Sequence, residues 1–144
     1  MSAGLGGLYQ DVILDLARHP HAKGLEDGAA SSSHQVNPTC GDEVTLQLHV
    51  EGGRIDRIRW EGDGCAISQS SASILADLAP GLSGPELQER IDAFRVAMRS
   101  KGRIEPDEEL LGDAVVLGGV SRYTARVKCA MLAWVAAEDA LRKL

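Results

Sequence analysis

Aromatic residues are scarce in this chain of 144 residues, which contains two Trp, two Tyr and one Phe. A surface that stacks nucleic-acid bases is therefore not expected. Basic residues are outnumbered as well, since 15 Lys and Arg stand against 21 Asp and Glu, giving a net charge of −6. An acidic chain without a basic run does not favour nucleic acid or an anionic membrane surface as a partner.

Long apolar segments are also missing. No run reaches about 18 apolar residues, the length that a transmembrane helix needs. Residues 1–9 combine neither a basic stretch nor a long apolar segment, so they do not resemble a secretory signal, and we expect a cytoplasmic protein. Three cysteines in a reducing compartment do not indicate a disulfide framework. Catalysis, metal binding and simple burial remain as their roles.

What the sequence does contain is an ordinary globular composition, 44% apolar and 25% charged, in a length typical of one domain. Alternating apolar residues predict two paired strands, and helical spacing predicts helices on either side of them. The predicted helices cover 8–18, 66–79, 84–100, 107–111 and 121–142, the strands cover 44–50 and 57–61, and a long loop covers 20–37. This order predicts an α+β fold with two layers, a small antiparallel β-sheet packed on α-helices, in a single domain.

The three cysteines lie where separate elements can meet. Cys40 precedes the first predicted strand, Cys65 follows the second, and Cys129 lies in the last predicted helix. Asp42 is two residues from Cys40, and Gly41 between them leaves the backbone room to curl around an ion. Three thiolates and a carboxylate would complete a tetrahedral zinc site, and thiolates also suit iron–sulfur clusters. The chain has no Cys-X-X-Cys pair, and burial of the cysteines explains their spacing equally well.

Three motifs around these cysteines resemble the SufU branch of the IscU/NifU-like family. They are Pro-Thr-Cys-Gly-Asp at 38–42, Gly-Asp-Gly-Cys-Ala-Ile-Ser at 62–68 and Arg-Val-Lys-Cys-Ala at 126–130. A fourth segment, His-Pro-His-Ala-Lys-Gly at 19–24, resembles the Asn-Pro-Arg-Asn-Lys-Gly loop of the family with departures. The similarity covers about residues 8 to 144 and implies a SufU/IscU-like two-layer fold with a flexible N-terminus over about 1–6.

Two features favour the SufU branch over IscU scaffolds. IscU-type proteins carry His immediately before the third cysteine, where this chain has Lys128. SufU-type chains also carry an insert between the second and third cysteines, for which residues 84–113 are the counterpart. One departure is Thr124, where the family pattern has Pro; it affects the expected start of the last helix.

The resemblance implies a function and a set of site residues. The implied zinc ligands are Cys40, Asp42, Cys65 and Cys129, and the implied partner is a pyridoxal-phosphate cysteine desulfurase of the SufS type, with a Suf scaffold downstream. The chain would be a sulfurtransferase that takes persulfide sulfur for iron–sulfur cluster assembly. Cys40 would be the acceptor, and Arg126 would steer the persulfide or contact the partner. A solvated helix charge is an equal interpretation of Arg126.

Two alternatives to sulfur transfer remain open at this point. The same residues suit a scaffold on which an iron–sulfur cluster is assembled. They also suit a partner-binding domain in which the zinc is purely structural. Lys128 in place of His argues against the scaffold, and an exposed Cys40 would argue against the purely structural zinc.

Overall fold

A three-stranded antiparallel sheet with strand order β1-β2-β3 forms one layer of the molecule, and helices form the other. The structure, a computed structural model, describes residues 7–39 and 41–144. The strands are β1 (Ser31–Asn37), β2 (Asp42–Glu51) and β3 (Arg54–Asp63). The helices are α1 (Gly7–Arg18), α2 (Ala66–Leu78), α3 (Gly84–Arg99), α4 (Glu108–Leu111), a 3-10 helix (Gly112–Arg122) and α5 (Thr124–Arg142). The predicted α+β architecture is confirmed.

The β2–β3 hairpin follows the sequence pattern directly. Val44, Leu46 and Leu48 point into the core, because alternate residues of a strand share a face. Gly52 and Gly53 both have positive φ, 62° and 78°, as a two-residue turn between antiparallel strands requires. Both strands run a few residues further than the alternation predicts.

The core is closed by α5, which packs on the sheet and against α2 and α3. Trp60 of β3 and Trp134 of α5 are almost completely buried. The ring of Trp134 stacks on Phe94 of α3 with the two ring centroids 4.0 Å apart. The N-terminus of α3 is fixed by a capping box, in which the Ser83 hydroxyl accepts from the Glu86 N–H and the Glu86 carboxylate accepts from the Ser83 N–H. The helix start predicted at residue 84 is confirmed.

The long loop predicted over 20–37 is wrong in its second half, which forms β1. Strand formation there depends on tertiary contacts. The Ser31 hydroxyl donates to the Ala140 carbonyl at 2.6 Å, and the Ser33 hydroxyl donates to the Asp139 carboxylate at 2.7 Å. A serine-rich strand can therefore pack beneath α5 with its hydroxyls satisfied.

The predicted start of the last helix at Ser121 is also corrected. Residues Gly112–Arg122 form a 3-10 helix that buries Val116, Leu117 and Val120. Tyr123 is extended, with φ −116° and ψ 92°, and α5 begins after it at Thr124. Residues 1–6, predicted to be a flexible N-terminus, lie outside the described residues. None of the helices in the described part of the chain has the length and apolar character that crossing a bilayer requires.

Candidate metal centre

Three of the four predicted ligands come together. One carboxylate oxygen of Asp42 and the Sγ atoms of Cys65 and Cys129 all lie within 4.8 Å of one another. Asp42 begins β2, Cys65 precedes α2, and Cys129 lies in the second turn of α5. Three elements that are distant in the sequence therefore each supply one donor atom.

Asp42 is positioned by the connection between β1 and β2. Its backbone pairs with Asn37 at the end of the ladder. Asn37 stabilises this connection by accepting two hydrogen bonds. Its side-chain oxygen accepts from the Thr39 N–H at 3.1 Å, and its backbone carbonyl accepts from the Gly41 N–H at 2.8 Å. Gly41 has φ +77°, which other residues adopt only with strain. The Asp42 side chain is thereby directed inward and is 5% exposed.

Cys65 is the N-cap residue of α2 and makes no capping hydrogen bond with its side chain. Its thiol lies instead 3.6 Å from the Asp42 carboxylate. The close approach depends on Gly64, because a Cβ atom there would lie 2.2 Å from Ser68 Oγ and 3.0 Å from Asp42 Cγ. The N-terminus of a helix favours negative charge, so this position suits a thiolate.

Cys129 is fixed by the core of the helix layer and is 1% exposed. Beside it, the carbonyl of Ala130 accepts a hydrogen bond of 2.6 Å from the Ser71 hydroxyl of α2. The same hydroxyl accepts from the Trp134 indole N–H at 2.8 Å. This buried bridge joins the helix that follows Cys65 to the helix that carries Cys129, and so fixes the two thiols relative to each other.

The arrangement fits zinc. In a tetrahedral zinc site a sulfur and an oxygen ligand are about 3.5 Å apart, and two sulfurs about 3.8 Å. The distance of 3.6 Å between Cys65 Sγ and Asp42 Oδ2 is close to the first value. Two thiols and a carboxylate are also donors that zinc accepts.

The other residues singled out in the sequence do not lie among these donor atoms in the described structure. Cys40 lies outside the described residues, so its role stays a prediction. Arg126 and Lys128 are exposed in the first turns of α5, and neither forms an ion pair with any residue that the structure describes. Thr124 is the first residue of α5, the helix that carries Cys129 further along. Sequence analysis missed Asn37, for which Asn before Pro is a turn signal that could have drawn attention to it.

A second buried carboxylate belongs to Glu138, further along α5, which is 8% exposed. Arg95 of α3 donates to both of its oxygens, at 2.7 and 3.1 Å, and Gln88 donates at 2.8 Å. The hydrogen bond from Arg95 holds the pKa of Glu138 below its ordinary value, against the effect of burial. In turn, the hydrogen bond to Glu138 raises the pKa of Arg95.

Comparison with known proteins shows the family to which the chain belongs. The model of the NifU-like N terminal domain matches residues 8–142. The chain belongs to the NifU-like family. The predicted membership of the SufU/IscU/NifU-like group is thus confirmed.

Two relatives match this NifU-like chain over most of their length. It is 34% identical over 144 residues to the zinc-dependent sulfurtransferase SufU of Bacillus subtilis strain 168, covering 99% of this chain and 95% of the relative. It is also 34% identical over 139 residues to the iron–sulfur cluster assembly scaffold protein IscU of Streptococcus pyogenes serotype M1, covering 96% and 86%.

A solved structure shows the same fold. The NifU-like chain matches FiSufU of Fervidobacterium islandicum AW-1, described as an iron–sulfur cluster assembly scaffold protein for the SUF system, with a TM-score of 0.84 and 33% identity. The match covers 91% of this chain and 94% of that one.

Proposed function

We propose that this protein takes sulfur from the persulfide of a pyridoxal-phosphate cysteine desulfurase for iron–sulfur cluster assembly. The observation that carries the proposal is the convergence of Asp42, Cys65 and Cys129 within 4.8 Å. A buried carboxylate and two thiols, each supplied by a different element, form a preorganised donor set. The 34% identity to a SufU named a zinc-dependent sulfurtransferase supports this reading.

Zinc is the proposed resident ion, held by Asp42, Cys65, Cys129 and Cys40. When bound, zinc keeps its cysteine ligands in the thiolate form at neutral pH. Cys40 is the fourth ligand in the proposal because it is joined through Gly41 to Asp42, whose side chain already points into the site.

Cys40 is also the proposed sulfur acceptor. Its thiolate attacks the outer sulfur of the persulfide on the desulfurase cysteine. A bond forms between Cys40 Sγ and that sulfur, the original sulfur–sulfur bond breaks, and the desulfurase cysteine leaves as a thiolate. One sulfur–sulfur bond replaces another, so the step needs neither oxidant nor reductant.

The other two cysteines are less suited to this step. Cys129 is 1% exposed and its helix is bound to α2 through Ser71, so its displacement would disturb the core. Cys65 is half-buried and caps α2, where the helix dipole favours retention of an anion. In the sequence, Cys40 falls between the last residue of β1, Asn37, and the first residue of β2, Asp42.

The partner is proposed to be a SufS-type cysteine desulfurase, with a Suf scaffold as a recipient and the cytoplasm as the location. Arg126 is exposed one turn before Cys129, where it is available to the incoming persulfide or to the partner. A guanidinium at this position suits an anionic group such as a persulfide.

A scaffold function is the second candidate. The observation that favours it is the equal identity, 34%, to a relative named an iron–sulfur cluster assembly scaffold. Thiolates in the same arrangement also suit an iron–sulfur cluster.

Mass spectrometry of the protein after incubation with a desulfurase and cysteine tests the proposal. We expect one added sulfur, mapped to Cys40 and lost in Cys40→Ser, and one zinc per chain in elemental analysis of the untreated protein. Cys65 and Cys129 are themselves proposed zinc ligands, so the acceptor is assigned by mapping the modified cysteine in the wild type and not by substituting these two residues. Persulfide mapped to Cys65 or Cys129 would overturn the choice of acceptor.

The alternatives give other results in the same samples. Zinc without any added sulfur would point to a purely structural ion. A stable visible absorption of an iron–sulfur cluster after anaerobic incubation with iron and sulfide, together with absence of a persulfide, would favour the scaffold.

A further inference from the structure

A groove of about 680 Å³ lies beside the candidate metal centre, between the edge strand β1, the end of α3 and the first half of α5. We call it the basic groove and define it by four cationic side chains in its walls, Arg95, Arg99, Lys101 and Lys128. It adjoins the site at two points in the sequence, because Thr39 precedes Cys40 and Lys128 precedes Cys129. Its volume is in the range of binding sites for small ligands and short peptide segments.

The charge of the groove is opposite to that of the whole chain. The chain carries a net charge of −6, yet none of the described lining residues is acidic. Arg95 is already bound to Glu138. Arg99, Lys101 and Lys128 are exposed and form no ion pair with residues that the structure describes. Three cations thus surround an opening for which the described lining residues supply no countercharge.

The floor of the groove is apolar. Met98, Met131 and Leu132 are buried beneath it, and Val127 and Val135 are partly exposed in it. Methionine side chains adapt their shape to different apolar partners. An occupant therefore needs apolar side chains as well as negative charge.

One wall of the groove is a sheet edge. β1 pairs only with β2 in the described part of the chain, so its other edge carries backbone groups that a strand of a different chain can pair with. Near the start of β1, Lys143 donates to the Ser32 carbonyl at 3.1 Å. The opening lies at the other end, beside Gln35, Val36 and Asn37.

We propose that the basic groove binds an extended, acidic segment of a partner protein, with carboxylates on the three free cations and apolar side chains on the methionine-lined floor. An extended segment fits the edge of β1. Alternating acidic and apolar residues would place carboxylates on the cations of the walls and apolar side chains on the floor. As an account of how a sulfur donor is held beside Cys40, the proposal rests on the proposed function. The binding itself needs neither the metal nor a persulfide.

Fluorescence anisotropy with a synthetic octapeptide tests this directly. The probe is a fluorescein-labelled peptide in which Glu alternates with Leu or Val, titrated with the zinc-loaded full chain at low salt. We expect saturable binding that weakens as NaCl is raised. Arg99→Glu and Lys101→Glu should each weaken it by about tenfold.

Arg18→Glu is the matched control, because Arg18 is an exposed arginine at the end of α1, outside the groove lining. It changes the net charge equally and should leave the affinity within about twofold. A peptide with Lys in place of Glu, and one with Gly in place of Leu and Val, should each bind more weakly than the probe. Thermal unfolding of each variant confirms that it is folded.

Several outcomes would overturn the inference: no saturable binding to the wild type, equal effects of Arg99→Glu and Arg18→Glu, or equal binding of the Lys peptide. Displacement of the probe by citrate at constant ionic strength would identify an anion pocket for small molecules instead. The result is independent of sulfur transfer, since Cys40→Ser should bind the probe like the wild type even though it accepts no sulfur.

Discussion

Asp42 and Glu138 are both buried carboxylates, 5% and 8% exposed, but their surroundings differ. Arg95 and Gln88 donate hydrogen bonds to Glu138, and the guanidinium of Arg95 provides the positive charge beside this carboxylate. Asp42 forms no ion pair with a described residue and lies 3.6 Å from a thiol. Burial of a negative charge is costly unless a positive charge accompanies it. The comparison indicates that Glu138 has a structural role, whereas the surroundings of Asp42 are suited to a bound cation.

Loss of the proposed zinc ion is the largest expected change in stability. Cys129→Ser should lower the free energy of unfolding by about 4 kcal/mol or more, because the proposed zinc would join the sheet to the core helix. For a chain of this size that corresponds to a fall of about 13 °C or more in Tm. Thermal unfolding before and after treatment with a zinc chelator measures it. The chelator should destabilise the wild type and leave Cys129→Ser unchanged; equal Tm values for metal-loaded and metal-free wild type would contradict the prediction.

Disruption of the ion pair between Arg95 and Glu138 should give the next largest loss of stability. Glu138→Gln removes the negative partner of Arg95 and should cost about 3 kcal/mol at pH 7 while zinc content stays unchanged. The pKa of Glu138 is lowered by folding, so the stability it adds is present above the ordinary Glu pKa and is lost as the pH falls through the folded-state pKa.

Urea denaturation as a function of pH checks this sign. The difference between the wild type and Glu138→Gln should shrink as the pH falls from about 5 to about 3. A difference that grows on acidification would show that the pKa of Glu138 is raised, not lowered. Reduced zinc content in Glu138→Gln would contradict the separation of the two carboxylate sites.

The smallest of the three effects is expected from Gly64→Ala. The new methyl group would meet Ser68 Oγ at 2.2 Å and Asp42 Cγ at 3.0 Å, so the ligands must shift. We expect zinc affinity to fall by about tenfold, measured by competition with a chromophoric chelator. Adding Ser68→Ala should restore stability but not affinity, because the contact with Asp42 remains.

Gly84→Ala is the matched glycine control for that measurement. A Cβ atom at Gly84 would meet only Leu141 Cδ2 at 3.8 Å, an ordinary contact. Its zinc affinity should equal that of the wild type. Unchanged affinity in Gly64→Ala would mean that the close packing around Gly64 does not position Asp42.

Much of the fold could be predicted because local patterns and tertiary structure agree. The β2–β3 hairpin, α2 and α3 carry clear alternation, helical spacing and a capping signal. β1 carries none of these, and its serines lie in a strand because of tertiary contacts, the ladder with β2 and the hydrogen bonds of Ser31 and Ser33 to α5. Propensity over so short a segment is readily overridden by such contacts.

The donor residues of the site could be predicted from the sequence, but the basic groove beside them could not. The cysteine motifs led to Asp42, Cys65 and Cys129, which the structure brings together. Net charge, by contrast, gave no indication of the basic groove. Arg99 and Lys128 lie 29 positions apart in the sequence, and only the packing of α3 against α5 brings them to one opening. Local charge of this kind depends on tertiary structure.

The sequence distance between the ligands also determines when the ion can act during folding. Asp42 and Cys129 are 87 positions apart, and they meet only after α5 has docked on the sheet. Closing so long a loop is entropically costly, so the complete donor set would form only late in folding. Zinc, the proposed ion, would then reach full coordination at a geometry that the polypeptide has already built. We therefore expect selection among ions to be made by the folded protein, and refolding rates to depend on zinc much less than the final stability does.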